Sequence, residues 1–214
     1  MLLNKANLDA IVASSTSSLR PVLNCLKITT EKTVATDSYI LIEVTNPSDL
    51  PEAPDVLQHN NHECLVYRKA IEKALKNQVK YKALPVLECW ATSVDGNKCT
   101  ITTTDLEVTQ SVQSNISDGQ FPNYEAVIPK GKPVATVGIN ANMLKRLLKY
   151  FEDHAVGKHV LLEVYDDRTP LLLSAKTESG QFIRAICMPL LNAKDRSGDF
   201  KQEVIIDEPI SSHE

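Results

Sequence analysis

The chain has 214 residues, of which 43% are hydrophobic and 23% are charged, and its formal net charge at pH 7 is −4. This length supports a sizeable core in one or two domains, and the composition is ordinary for a soluble globular protein. The negative charge excludes a protein that coats DNA through its overall charge, but it leaves room for a locally basic face.

Neither the longest apolar run nor the start of the chain predicts a membrane or secretory segment. No apolar run approaches the ~20 residues that a membrane helix needs, and residues 1–5 become polar too soon for a secretory signal. The five cysteines form no CxxC pair, and four of them lie among strand-like residues, where reduced cysteine behaves as a small hydrophobic residue. We therefore expect a cytoplasmic protein without a membrane partner.

One pattern recurs about three times along the chain: a short strand, a helix and a run of strands. The first copy opens with Leu2-Leu3 and continues into a helix near residues 6–15, whose Leu8, Ile11 and Val12 share one face. Its further strands are predicted at about 22–30, 32–36 and 39–45. Residues 46–61 contain three prolines, which predicts a connecting loop.

The second copy opens with the strand Cys64-Leu65-Val66-Tyr67 and a helix at about 68–78. Asp95-Gly96 predicts a hairpin turn between two of its later strands. Those strands are expected at about 84–93, 98–104 and 106–114. Four lysines of the helix recur at i, i+4, i+7 and i+11 and form one stripe opposite its apolar face: Lys69, Lys73, Lys76 and Lys80.

The third copy opens at residues 135–139, and Asn140 is the predicted N-cap of a helix at about 141–152. That helix has a broad apolar face, formed by Met143, Leu144, Leu147, Leu148 and Phe151. Its other side carries Lys145, Arg146 and Lys149. Strands are predicted at about 159–165, 171–176 and 181–187. Residues 193–214 are polar and charged, and this composition predicts a mostly disordered tail.

Repeats of strands and single helices predict an α+β fold with the helices on one face of antiparallel sheets. Taken alone, this pattern also fits many ordinary α+β domains. The third copy has no further copy beside it, so its sheet is expected to leave an open edge that another chain would cover. A homo-oligomer is therefore one expectation, and a monomer with a capped edge is the alternative.

The sequence shows no grouping of residues that predicts an enzyme or a cofactor site. The phosphate-loop patterns GxGxxG and GxxxxGK[ST] are both absent from the chain. Asp37 and Asp105 each follow a threonine at equivalent places in two copies, which favours a shared turn over a catalytic carboxylate pair. The segment 59–64 contains two histidines and one cysteine, but without a second ligand cluster it does not predict a metal site.

Three separated segments combine apolar residues with Pro, Thr or Asn: residues 35–41, 119–129 and 186–190. They read ATDSYIL, GQFPNYEAVIP and ICMPL. In their residue patterns and in their order along the chain they resemble the bacterial DNA polymerase III β sliding clamp family, the rings that tether replication proteins to DNA. The resemblance spans roughly residues 1–192 and implies a DNA-clamp fold.

The resemblance also implies a domain division. Residues 1–129 are similar to the middle clamp domain, built from two repeat units, and residues 130–192 are similar to the second half of the last domain. Residues 193–214 would follow as the tail. The first clamp domain and the first half of the last one have no counterpart in this chain.

In the family, the three segments line a hydrophobic cleft that captures short peptides from client proteins. The matching positions in this chain are Thr36, Leu41, Pro122, Val127, Ile186 and Met188. A linear peptide offers few anchors, so its receptor needs a preformed apolar groove. The alternative is that these residues are ordinary core residues and a proline-containing connector.

The resemblance further implies that the helices face double-stranded DNA across the central hole of a ring. On this view the lysine stripe at 69–80, the basic residues at 145–149 and Arg20 contact phosphates independently of base sequence. The alternative is an ordinary solvated helix surface. The first helix weakens the DNA interpretation, because residues 6–15 contain Asp9 and no Lys or Arg.

The sequence therefore predicts a sliding-clamp-like processivity factor for DNA replication or repair, without chemistry of its own. It would tether a DNA polymerase and other clients to DNA through the cleft, and a clamp loader is a further possible partner. The alternative is a clamp-like adaptor or decoy that binds client peptides without encircling DNA.

Overall fold

A computed structural model of the chain describes residues 1–47, 63–78, 85–129, 133, 136–166 and 168–190. The chain forms two compact units that divide between Ile128 and Pro129. Lys80, the tail at 193–214 and most of the predicted loop at 46–61 lie outside the described residues.

The first unit contains two repeats of the strand–helix–strands pattern. The first repeat comprises β1 Leu2–Leu3, α1 Lys5–Asp9, β2 Cys25–Ile28, β3 Lys32–Thr36 and β4 Leu41–Thr45. The second comprises β5 Cys64–Tyr67, α2 Arg68–Lys76, β6 Trp90–Asp95, β7 Lys98–Thr104 and β8 Thr109–Asn115. Short 3₁₀ helices lie at Ala10–Ala13, Pro21–Asn24, Pro85–Glu88 and Tyr124–Val127.

The two repeats exchange their opening strands. β1 pairs antiparallel with β6 of the second repeat, with Leu2 opposite Ala91. β5 pairs antiparallel with β2 of the first repeat, with Ile28 opposite Cys64. The sheets therefore have the orders β1-β6-β7-β8 and β4-β3-β2-β5. Each repeat completes the sheet of the other, so neither is an independent folding unit.

The core of this unit lies between the two sheets and the two helices. Its largest fully buried side chain is Trp90, whose indole N–H donates to the carbonyl of Ala74 on α2 at 3.1 Å. Leu8 of α1, Ile71 of α2 and Ile101 of β7 belong to the same buried cluster. Burial of these apolar side chains supplies most of the driving force for folding.

The first helix is shorter than the sequence predicts. Asn4 and Asn7 form a capping box, in which each side chain accepts from the other's backbone N–H at 3.1 Å. After Asp9 the chain tightens into the 3₁₀ helix, so the α-helical spacing assumed for residues 6–15 no longer applies. Leu8 and Ile11 are buried as predicted, but Val12 is exposed.

Several predicted strands begin too early. The strand predicted at 22–30 begins only at Cys25, because Pro21–Asn24 forms a 3₁₀ helix with proline at its start. The strand predicted at 84–93 begins at Trp90 for the same reason, after Pro85–Glu88. The hairpin at Asp95-Gly96 is present, and Gly96 takes the positive φ of +54° that such a turn requires.

The second unit contains one repeat: α3 Ala141–His154, β9 Leu161–Glu163, β10 Leu171–Lys176 and β11 Phe182–Cys187. Its antiparallel sheet has the order β11-β10-β9. The predicted N-cap is confirmed, because the Asn140 side chain accepts from the N–H groups of Asn142 and Met143 at 2.9 and 3.3 Å. The opening strand predicted at 135–139 is wrong for residues 136–139, which form no strand.

A small buried cluster holds this unit together. Phe151 of α3 packs with Leu171, Leu173 and Cys187 of the sheet. Most of the predicted apolar face of α3 is only partly covered, and Met143 and Leu148 are exposed. In the described part of the chain, no helix is long and apolar enough to span a bilayer.

Candidate binding site

The turn between β3 and β4 is held by side-chain hydrogen bonds to its own backbone. The Asp37 carboxylate accepts from the N–H groups of Tyr39 and Ile40 at 2.8 and 2.9 Å. The Thr36 hydroxyl donates to the carbonyl of Ile40 at 2.7 Å. These bonds fix Ser38 at a φ of +85° and leave the side chains of Tyr39 and Ile40 exposed at the tip of the turn.

The same turn recurs between β7 and β8. Asp105 accepts from the N–H groups of Glu107 and Val108 at 3.0 and 2.6 Å, and the Thr104 hydroxyl donates to the carbonyl of Val108 at 3.2 Å. Leu106 stands at the position equivalent to Ser38 and, like Ser38, has a positive φ. The prediction that Asp37 and Asp105 stabilise the same type of turn in the two repeats is therefore confirmed.

Backbone donors lower the pKa of both turn aspartates. The N–H of Ile40, followed by that of Tyr39, holds the pKa of Asp37 below its usual value of 3.8. The N–H groups of Val108 and Glu107 do the same for the pKa of Asp105. Hydrogen bonds to a carboxylate favour its charged form, so both side chains act as acceptors at neutral pH.

The segment that follows β8 packs through Tyr124 against the sheet that contains β3. This side chain is buried, and Phe121 meets its ring edge-on at a centroid distance of 6.2 Å. The carbonyl of Pro122 accepts from the N–H of Tyr124 at 2.9 Å. Pro122 and Val127 are exposed on either side of this anchor, so Tyr124 fixes their position.

Lys32 of β3 connects this segment to the sheet. Its ammonium nitrogen lies 5.4 Å from the centroid of the Tyr124 ring and 3.0 and 3.3 Å from carboxylate oxygens of Glu43 and Glu125. The ion pair with Glu43 raises the pKa of Lys32 above its usual range. Burial raises the pKa of the Tyr124 phenol. Lys32 therefore stays protonated and holds its positive charge against the Tyr124 ring, between the carboxylates of Glu43 and Glu125.

A cavity of about 260 Å³ lies between the β3–β4 turn and the Tyr124 segment. Its walls combine apolar side chains with a few hydroxyl and amide groups, and it holds no acid–base pair. Four of the six predicted cleft residues line it: Thr36, Leu41, Pro122 and Val127. The remaining lining residues are Ser38, Tyr39, Ile40, Asn123 and Tyr124.

The other two predicted cleft residues belong to the second unit. Ile186 lies near the end of β11 and is exposed, and Met188 follows the strand and is also exposed. Between them Cys187 is buried, and Pro189 is buried just beyond. This alternation presents Ile186 and Met188 on the solvent side of the unit.

Sequence reasoning did not identify Lys32, Glu43 or Tyr124 as parts of the site. Lys32 and Glu43 lie on adjacent strands, but neither has an unusual local sequence pattern. Tyr124 stands within the FPNY segment, yet nothing in that segment shows that it would be buried beside Lys32. These contacts depend on chain positions far apart, so no local signal could have revealed them.

The lysine stripe of α2 has the exposure that the sequence predicts. Lys69, Lys73 and Lys76 are at least partly exposed, whereas Ala70 and Ile71 on the other side are buried. Within the described ranges, none of these three lysines forms an ion pair. Arg68, at the start of the helix, pairs instead with Glu72 at 2.7 Å.

The basic residues of α3 divide into two groups. Lys149 lies 3.2 Å from Glu152 and 2.9 Å from Asp153, and these carboxylates, Asp153 above all, raise its pKa. Lys145 and Arg146 are exposed and form no ion pair among the residues that the structure describes. Arg20 is also exposed. Lys149 is therefore compensated on its own helix, unlike Lys145 and Arg146.

The five cysteines lie in the cores of the two units. All five are buried, and none forms a disulfide in the described parts of the chain. No group of three His, Cys, Asp or Glu side chains converges as metal ligands in these parts of the chain. Of the segment 59–64, which does not by itself predict a metal site, residues 59–62 lie outside the described ranges.

No family model matches the chain, and no curated protein matches it. Its structure is similar to solved bacterial sliding clamps. The DNA polymerase sliding clamp of Bacillus subtilis superposes with a TM-score of 0.65 at 16% identity, over 88% of this chain and 48% of the clamp. The DNA polymerase III β chain of Streptococcus pneumoniae gives 0.64 at 16% identity, over 89% and 49% of the two chains.

The chain has a sliding-clamp fold. A third solved clamp, from Pseudomonas aeruginosa and bound to griselimycin, agrees with a TM-score of 0.64 at 18% identity, over 88% of this chain and 49% of that one. The predicted α+β clamp architecture is thereby confirmed. The chain spans about half the length of these clamps.

Proposed function

We propose that this chain is a sliding-clamp-like processivity factor that binds client peptides in the cavity of its first unit. The observation that carries the proposal is the meeting of Thr36, Leu41, Pro122 and Val127 around one preformed cavity. These residues come from two segments about 80 positions apart in the sequence. The sliding-clamp fold of the chain supports the same conclusion.

The cavity suits one or two aliphatic or aromatic side chains of an extended peptide. Leu41 and Val127 offer apolar walls, while the exposed Tyr39 ring provides a further surface for a peptide side chain to pack against. The hydroxyl and amide groups of Ser38 and Asn123 at the rim can bond the peptide backbone. Ile186 and Met188 of the second unit remain predictions for peptide contact, on the resemblance of their segment to the clamp family.

Tethering requires no chemistry from the protein. A client that is held on DNA re-engages its template at a high effective concentration and so becomes processive. We propose that Lys69, Lys73, Lys76, Lys145 and Arg146 supply the contacts to double-stranded DNA, together with Arg20 and Lys80. Lys149 would contribute less, because its charge is compensated by Glu152 and Asp153.

A clamp-like adaptor or decoy that binds clients without encircling DNA is the second candidate. One observation favours it: the charge of Lys149, one of the predicted DNA-facing residues, is neutralised within α3 by Glu152 and Asp153. A clamp loader is a partner only under the first candidate.

Peptide titration tests the cavity. A fluorescent peptide from a polymerase clamp-binding segment should bind the wild-type chain, and Leu41→Ala or Ile40→Ala should weaken binding by about 1–3 kcal/mol, the usual cost of truncating a buried anchor residue. Val108→Ala is the matched control, since it occupies the position of Ile40 in the equivalent turn. If the wild type, both cavity variants and the control bound the peptide with equal affinity, the cavity would not be the peptide-binding site.

Retention on DNA separates the two candidates. A processivity factor should remain on closed circular DNA after loading and leave it when the circle is cut. An adaptor should bind the peptide with the same affinity yet show no topological retention. A wild-type chain that does not bind the peptide would contradict both candidates.

A further inference from the structure

One wall of the peptide cavity belongs to the segment that follows β8, residues 117–128, which we call the strap. The start of the strap is fixed to the second repeat, because the N–H of Ser117 donates to the carbonyl of Leu65 on β5 at 2.9 Å. Its later part is fixed by the buried side chain of Tyr124. Pro122, which lines the cavity, therefore lies between two anchored points of the strap.

Gly119 brings the strap into close contact with the 3₁₀ helix at Pro21–Asn24. A Cβ atom added at Gly119 would lie 2.2 Å from Cγ2 of Val22, far inside the distance of van der Waals contact. The same atom would lie 3.7 Å from Cβ of Val22 and 3.5 Å from Oγ of Ser117, and both are ordinary contact distances. Among these nearest atoms, only the Val22 γ-methyl excludes a side chain at position 119.

The strap has more room to move than Val22 has. Two methyl groups on Cβ restrict the χ1 angle of a valine, and the residue that follows Val22 on the 3₁₀ helix, Leu23, is buried. In contrast, a cavity of about 420 Å³ is lined by residues 116–121 together with residues of β2 and β5. A side chain at position 119 would therefore displace the strap rather than the 3₁₀ helix.

A displacement at Gly119 reaches the peptide cavity through a short and stiff stretch of chain. Gly119 and Pro122 are three positions apart, and a proline fixes its own φ and restricts the residue before it. Beyond Pro122, the buried Tyr124 ring holds the strap, with Phe121 packed edge-on against it at 6.2 Å. The displacement must therefore be absorbed between Gly119 and Tyr124, and it moves the cavity wall at Pro122.

We propose that Gly119 is a positioning residue for the peptide cavity. The contact of its backbone with Val22 sets how closely the strap lies on the first repeat, and thereby where Pro122 stands. Gly119 acts from outside the cavity, whose described lining in this segment begins at Pro122. Its effect on affinity rests on the peptide-binding function proposed above, whereas its effect on the position of the strap does not.

A double-mutant cycle on peptide affinity tests this role. Gly119→Ala should weaken binding of the fluorescent peptide about fivefold or more, as expected when one anchor contact is misplaced. Adding Val22→Ala removes the obstructing methyl group, so the double variant should bind within about twofold of the wild type. Val22→Ala alone should stay close to the wild type. Gln120→Ala, at the exposed neighbouring position, is the matched control and should bind normally.

Hydrogen exchange in the strap provides a readout that needs no peptide. The backbone N–H groups of Ser117 and Tyr124 donate to the carbonyls of Leu65 and Pro122 at 2.9 Å each. In Gly119→Ala both amides should lose protection, while the amides of the β6–β7 hairpin keep theirs. The double variant with Val22→Ala should regain the lost protection.

Three results would overturn the role of Gly119. The first is wild-type peptide affinity in Gly119→Ala, and the second is a folded double variant that binds no better than Gly119→Ala. The third is an equal loss of protection in the strap and in the β6–β7 hairpin, which would make Gly119 a residue of general stability. If the wild type itself did not bind the peptide, the proposed function would fail, and hydrogen exchange alone would decide the role of Gly119: unchanged protection of the strap in Gly119→Ala would overturn it.

Discussion

The ammonium group of Lys32 lies 5.4 Å from the centre of the Tyr124 ring. Lys32 belongs to β3, which runs directly into the turn at Thr36, and Tyr124 belongs to the segment that carries Pro122 and Val127. The contact therefore joins the two walls of the candidate peptide cavity. Ion pairs from Lys32 to Glu43 and Glu125 hold the same junction.

Replacing Lys32 by methionine should loosen this junction. The variant leaves the half-buried Glu43 without its cationic partner and removes the cation from the Tyr124 ring, so we expect a loss of about 1–3 kcal/mol in the free energy of unfolding. Urea unfolding measures this loss, and peptide affinity should fall with it. Lys98→Met, at an exposed strand lysine, should change neither quantity.

The two equivalent turns provide a paired experiment. Asp37→Ala and Asp105→Ala each remove the acceptor of two backbone N–H groups, so both should destabilise the first unit to a similar, modest extent. Only Asp37→Ala should weaken peptide binding, since the turn at 104–108 lines no part of the cavity. A comparable loss of binding in both variants would mean that global stability, rather than the local turn, controls affinity.

Acid titration should report on the same carboxylates. Hydrogen bonds lower the pKa of Asp37 and Asp105 below 3.8 in the folded chain, so the unfolded chain binds more protons just below that pH. The stability that they contribute is present above about pH 4 and is lost as the pH falls through their folded values. In a double Asp→Asn variant the fall in unfolding free energy between about pH 5 and about pH 2.5 should be shallower than in the wild type.

Charge reversal should distinguish the basic residues. If α2 faces DNA, the double variant Lys69→Glu with Lys73→Glu should lower DNA affinity and reduce the slope of log K against log salt by about one for each phosphate that is no longer neutralised. Lys149→Glu should have a smaller effect, because its charge is already compensated. Lys98→Glu with Lys176→Glu, two exposed strand lysines, is the control. An α2 variant that behaves like this control would make the stripe ordinary solvated surface.

Much of the candidate site could be predicted from the sequence because its parts are local. The Thr-Asp turns depend on hydrogen bonds between residues two to four positions apart, and the Asn140 cap on residues two and three positions apart. The apolar and basic faces of α2 follow from helical periodicity alone. The three segments could be recognised by their residue patterns and their order in the sequence. The structure brings two of them around one cavity.

The sequence by itself determined the repeated strand–helix–strands pattern, the local turns and caps, and the α+β class, since each rests on interactions between neighbours in the chain. Only the tertiary structure decided that the first two repeats exchange β1 and β5 and that Lys32 meets Tyr124. These features join positions tens of residues apart. No propensity or period encodes such pairings, because they depend on how the whole chain closes and on which apolar faces find a partner.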